Sequence, residues 1–99
     1  MAYEIGALDA TLAAAVGDDA ALVRELRAAL IDGACQYADL LTRSRCDANW
    51  HVAAHRLKGL AASFGAMQLL KAADFALESA PGDPVALRCV TSAVALLSE

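Results

Sequence analysis

Apolar and small residues recur every three or four positions along most of the chain, which is the period of a helix that packs on one side. No stretch shows the apolar/polar alternation typical of a strand. Turn-forming residues interrupt the pattern at residues 17–19, 46–49, 65 and 81–84. The pattern therefore predicts a helical chain with short turns.

The first two predicted helices are separated by a turn at Gly17. Asp9 is placed to cap a short helix that ends near Val16, and Asp18 or Asp19 then opens a long second helix. The apolar stripe of the second helix comprises Leu22, Leu26, Ala29, Leu30, Gly33, Tyr37, Leu40 and Leu41. Its charged residues lie on the other side: Arg24, Glu25, Asp32, Asp39 and Arg43.

The third predicted helix begins near Asp47 or Asn49 and ends at Phe64, because Gly65 can adopt the left-handed geometry that stops a helix. Its core stripe comprises Trp50, Ala53, Ala54, Leu57, Leu60, Ala61 and Phe64.

The fourth helix is predicted from about Ala66 to Ser79, on a stripe of Leu69, Leu70, Ala73 and Leu77. The fifth has Asp83 as its cap and Pro84 in its first turn, and ends near Leu97. Helices joined by short turns pack as antiparallel neighbours. We therefore expect an all-α fold, an antiparallel up-and-down four-helix bundle with a short N-terminal capping helix.

The length and charge of the chain narrow the possible functions. Residues 1–99 suit one domain, and a chain this short buries only about two-thirds of its unfolded surface, so a surface site is expected. The net charge is −4, with Lys and Arg scattered among Asp and Glu, which argues against a nucleic-acid partner. No apolar run approaches the roughly 20 residues that cross a bilayer, and no signal peptide is evident. We expect a cytoplasmic protein with no membrane partner.

Three cysteines, Cys35, Cys46 and Cys89, form an odd number without C-x-x-C spacing. This pattern argues against a disulfide framework or a zinc site and favours small, reduced residues in the core.

The middle of the third predicted helix combines residue types that a purely structural helix does not need. At about 100° per residue, His55 points away from Leu57 of the core stripe and is expected in solvent. Lys58 and Gly59 fall on the same side one turn later. Because an internal glycine costs about 1 kcal/mol relative to alanine, Gly59 indicates that the space beside the ring is kept open.

A neutral imidazole is a nucleophile, and with an ordinary pKa near 6.5 it is largely neutral at cellular pH. Attack on a phosphoryl group gives phosphohistidine, whose negative charge a lysine one turn away can stabilise. An exposed ring on a rigid helix also permits the in-line approach that phosphoryl transfer requires.

These residues resemble the signature H-x-L-K-G-x-(A/S)-x-x-x-G-A of histidine-containing phosphotransfer (HPt) domains. The matching positions are His55, Leu57, Lys58, Gly59, Ala61, Gly65 and Ala66. The acidic turn before the second helix, the Leu77-Glu78 pair, the Gly-Asp break and the last apolar helix are also similar to the family's layout. The chain departs from the pattern at Leu60, where a small residue is common, and at Phe64, where leucine is frequent.

The resemblance implies that His55 accepts a phosphoryl group from the receiver domain of a hybrid histidine kinase and passes it to the receiver of a response regulator. Lys58 would neutralise the phosphate and Gly59 would provide clearance. It implies no ATP binding, no independent turnover and no cofactor, with Mg²⁺ expected only on the partner receiver. We expect a monomer.

A docking face near His55 is expected to include exposed Ala62, Ala66 and Met67, flanked by Arg56, since apolar contacts occupy interface centres. Two other interpretations stay open. The chain could be a non-catalytic helical interaction module, or His51 and His55, four residues apart, could bind a metal. The residues between these histidines, Val52, Ala53 and Ala54, include no glutamate.

Overall fold

The structure, a computed structural model, describes residue 10 and residues 12–17 and 19–98, which form five helices and no strand. This confirms the prediction of an all-helical chain. The helices are α1 at residues 12–16, α2 at Ala20–Arg43, α3 at Asp47–Phe64, α4 at Met67–Leu77 and α5 at Pro84–Leu97. No helix in this described part is both long enough and apolar enough to cross a membrane.

Side chains and glycines of the predicted types define the helix ends. The Asp19 carboxylate caps α2 by accepting a hydrogen bond from the Leu22 N–H at 3.1 Å. Asp83 caps α5 by accepting from the Val85 N–H at 2.9 Å, with Pro84 in the first turn. The predicted caps Asp9 and Asp18 lie outside the described residues.

The junction between α3 and α4 shortens α4 relative to the prediction. Gly65 has a φ of 70°, in the left-handed region, and the N–H of Ala66 donates to the Ala61 carbonyl at 2.9 Å. This bond closes a Schellman turn at the end of α3, and Ala66 is also the N-cap of α4, where its carbonyl accepts from the Leu70 N–H at 2.9 Å. The fourth helix consequently begins at Met67 rather than Ala66, and it ends at Leu77 rather than Ser79.

Each of the four longer helices packs against two others: α2 and α4 each contact both α3 and α5. Trp50 on α3 is fully buried, and its indole N–H donates to the Ala76 carbonyl on α4 at 2.8 Å. The Arg27 guanidinium on α2 donates to the Leu97 carbonyl of α5 at 3.3 Å. These two bonds satisfy polar groups where helices meet.

The buried face of α2 differs from the predicted stripe. Leu30, Ala34 and Leu41 are fully buried, whereas Leu22 and Leu40 are 38% and 41% exposed and Ala29 is exposed as well. At about 100° per residue, the true face is centred about 60° around the helix from the predicted one. The predicted face was chosen from the positions of the leucines and did not include Ala34, which packs in the core.

The prediction that the three cysteines fill the core is wrong, because Cys35, Cys46 and Cys89 are all exposed free thiols. Alanines occupy the small core positions instead, on all four longer helices. The sequence contains many more alanines than a core of this size needs, so residue type alone did not identify the buried ones.

Leu60, a bulky member of the predicted core stripe of α3, is accommodated because α2 provides a glycine opposite it. A Cβ added to Gly33 would lie 3.2 Å from Cδ2 of Leu60. The half-buried leucine thus fills the space that Gly33 leaves. The two positions form a matched pair across the α2–α3 contact.

We predict that Gly33→Leu lowers the free energy of unfolding by about 1–3 kcal/mol, because the new side chain overlaps Leu60. Urea unfolding followed by circular dichroism would measure the change. In a Leu60→Ala background the penalty should shrink by at least half. An equal penalty in both backgrounds would contradict the pairing of these positions.

Candidate functional site

Helix α3 presents His55 to solvent from the middle of its length. Ala54, Leu57 and Ala61 are fully buried on the opposite side, and this sets the rotation of the helix about its axis. The His55 side chain is exposed, as predicted, and it forms no hydrogen bond or ion pair with another described residue. Its ring nitrogens are accessible to an incoming reactant.

Gly59, one turn after His55, is exposed, and a Cβ added to it would meet no atom of another described residue within 4 Å. It therefore differs from Gly33, the helical glycine that makes room for a neighbouring side chain. The nearby Ser63 hydroxyl donates to the Gly59 carbonyl at 2.9 Å, and this bond holds the Ser63 side chain against α3. Internal packing does not explain a glycine at position 59.

Lys58 is ion-paired with a residue on the next helix. Its Nζ lies 2.8 Å from Oδ1 of Asp74 on α4, and the two side chains are 44% and 51% exposed. The cation predicted beside His55 is therefore present, but it already has an anionic partner. The role of Asp74 could not be predicted from the sequence, because spacing along the chain does not reveal which residues of two packed helices face each other.

Two of the three predicted apolar docking residues, Ala62 and Met67, are exposed, the latter by 50%. The prediction that Ala66 is exposed is wrong. Ala66 is fully buried, because the turn that ends α3 directs its methyl group into the core. Val52, one turn before His55 on α3, is 51% exposed and was missed, although its helical spacing from His55 was available in the sequence.

Arg56 is exposed, and its guanidinium carbon lies 6.0 Å from the centre of the Tyr37 ring on α2. This distance is at the outer limit of a cation–π contact. The Arg56 side chain therefore points toward α2 and lies at the edge of the surface around His55.

His51 differs from His55 in having a bonded ring. Its Nδ1 lies 2.9 Å from the Asp47 carbonyl, and a carbonyl only accepts, so Nδ1 carries a proton. Within the described residues, no group of three or more His, Cys, Asp or Glu side chains is arranged to hold a metal ion. The metal hypothesis therefore depends on the two histidines and a ligand from elsewhere.

No protein-family model, curated protein sequence or solved structure matches this chain.

We predict that Gly59→Ala raises the free energy of unfolding by about 0.5–1 kcal/mol, because alanine favours the helix and the added methyl group enters open space. Urea unfolding of the two proteins in parallel would measure the gain. A loss of stability would show that Gly59 is needed for packing, contrary to its surroundings.

Proposed function

We propose that this chain is a histidine phosphotransfer protein that carries a phosphoryl group on His55 between aspartates of receiver domains. One observation carries the proposal: His55 is exposed and has no hydrogen-bond partner among the described residues, and it stands beside a glycine whose missing side chain makes room for no described neighbour. The other face of this helix packs in the core. A helix built only for stability would gain from alanine at position 59.

The chemistry requires little beyond access. The ring nitrogen with a free lone pair forms the N–P bond, and the P–O bond to the donor aspartate breaks with its electrons leaving on the carboxylate. The other ring nitrogen keeps its proton. Transfer to the second receiver reverses these bond changes. His55 is the catalytic residue in this proposal, and Gly59 leaves the approach line open.

Lys58 is the cation that stabilises the transferred group. It lies one turn from His55, about 4.5 Å along the helix axis at the usual rise per residue. Its side chain is long and half-exposed, so it can reach the phosphoryl oxygens beside the ring.

The proposed frame is an antiparallel up-and-down four-helix bundle with α1 as a short cap. Two bonds support this arrangement, because each joins opposite ends of two helices. Trp50 near the start of α3 bonds Ala76 near the end of α4, and Arg27 in the first third of α2 bonds Leu97 at the end of α5.

The proposed partners are the receiver domains of a hybrid histidine kinase and of a response regulator, in the cytoplasm. Val52, Ala62 and Met67 are exposed apolar residues on α3 or just beyond it, and Arg56 adds a cation at their edge. Such a mixture suits the apolar centre and polar rim of a transient interface. Mg²⁺ belongs to the receiver, and the carrier itself uses neither ATP nor a cofactor.

We predict that His55→Gln abolishes labelling by a receiver domain charged with acetyl phosphate, because glutamine has no nucleophilic ring nitrogen. The wild-type protein should acquire an acid-labile, base-stable phosphate, measured by intact mass spectrometry and ³¹P NMR. His51→Gln is the matched control on the same helix and should label normally. Equal labelling of the His55→Gln and wild-type proteins would refute the proposal.

We predict that Gly59→Trp separates access by a protein from access by a small molecule. Transfer from a charged receiver should fall at least tenfold, because the indole would stand in the approach path. Labelling by phosphoramidate, a small phosphoryl donor, should change less than threefold. Unaltered transfer from the receiver would contradict the clearance role, provided that circular dichroism shows an intact fold.

A further inference from the structure

The strongest unassigned feature near His55 is the ion pair between Lys58 and Asp74. We propose that Asp74 is a positioning residue that competes with the phosphoryl group for Lys58 and so keeps phosphohistidine reactive. This inference rests on the proposed function. It adds a residue from α4 to a site that is otherwise built on α3.

The geometry makes the competition direct. Lys58 Nζ lies 2.8 Å from Asp74 Oδ1, which is the length of a charge-assisted hydrogen bond. A phosphoryl group on His55, one turn away, brings further negative charge within reach of the same ammonium. Lysine carries a single positive charge, so the carboxylate and the phosphoryl oxygens share its attraction.

Structural stability alone gives a weak reason for this pair. Both side chains are about half exposed, and ion pairs of that kind contribute little to folding because water screens them. The exposure also lets Lys58 rotate between two acceptors without disturbing the core. An ion pair that costs little free energy to break, next to the acceptor ring, allows Lys58 to move reversibly between Asp74 and the phosphoryl group.

Competition raises the tendency of phosphohistidine to give up its phosphoryl group. With Asp74 present, Lys58 stabilises the phosphorylated state less than it would alone. A carrier must be able to donate the phosphoryl group that it accepts. Because Lys58 is shared with Asp74, it does not bind the phosphoryl group too tightly for this donation. Removing the carboxylate should therefore favour the phosphorylated state.

The test compares wild-type protein with Asp74→Asn at a fixed concentration of phosphoramidate, using the full chain. The ratio of phosphorylated to free protein at steady state, measured by intact mass spectrometry, should rise about three- to fivefold in the variant, as expected for an exposed charge pair. Asp74→Glu, which keeps the carboxylate, should restore a ratio near that of the wild-type protein.

Asp39→Asn is the matched control. Asp39 pairs with Arg43 on α2 at the same distance of 2.8 Å, and the substitution removes the same charge from an exposed pair. It should leave the phosphorylated ratio within about 1.5-fold of the wild-type value, since screening weakens distant charges. An equal rise in both variants would show an effect of net charge and would overturn the role of Asp74.

Lys58→Ala identifies the route by which Asp74 acts. If the two groups compete for Lys58, Asp74→Asn has no further effect in the Lys58→Ala background. A full effect there would overturn competition in favour of direct repulsion. An unchanged ratio in Asp74→Asn alone, with the wild-type protein labelled on His55, would refute this inference and leave the carrier function standing. Absence of any label on the wild-type His55, from phosphoramidate or a charged receiver, would instead refute both.

Discussion

The rotation of α3 about its own axis is the constraint on which the site depends. Trp50 and Leu57 are fully buried and leave no alternative face of this helix that could pack inward. The indole N–H bond to the Ala76 carbonyl reinforces that rotation, because a buried donor without a partner would be costly. Once these residues are inside, His55 has to stand in solvent.

The same constraint explains how well each helix could be predicted. In α3, large apolar residues mark the buried face, so the sequence pattern locates it correctly. In α2, alanines occupy both the core and the surface, and the leucines at positions 22 and 40 lie outside the buried face. Turn residues such as Asp19, Gly65 and Asp83 act locally, and their roles were therefore predictable. The burial of Ala66 was not, because it follows from how the turn after α3 closes.

Contacts between helices were beyond prediction for a related reason. The Lys58–Asp74 pair and the fit of Leu60 against Gly33 depend on the position of each helix along its neighbour. The amino-acid sequence alone does not fix that position, so many pairings between helices remain possible. Lys58 and Gly59 could be placed near His55 because all three share one helix. The site thus divides into a part set by helical period and a part set by packing. The second part supplies the anion beside the lysine.

Trp50 is the sole tryptophan of the chain, and it lies in the core rather than on the surface around His55. Its emission spectrum should therefore change when the core unfolds and change little when a molecule binds to the surface around His55. Fluorescence titrations with a candidate partner would need an extrinsic dye. The three outward-facing thiols offer places to attach one, and they call for a reducing agent during purification.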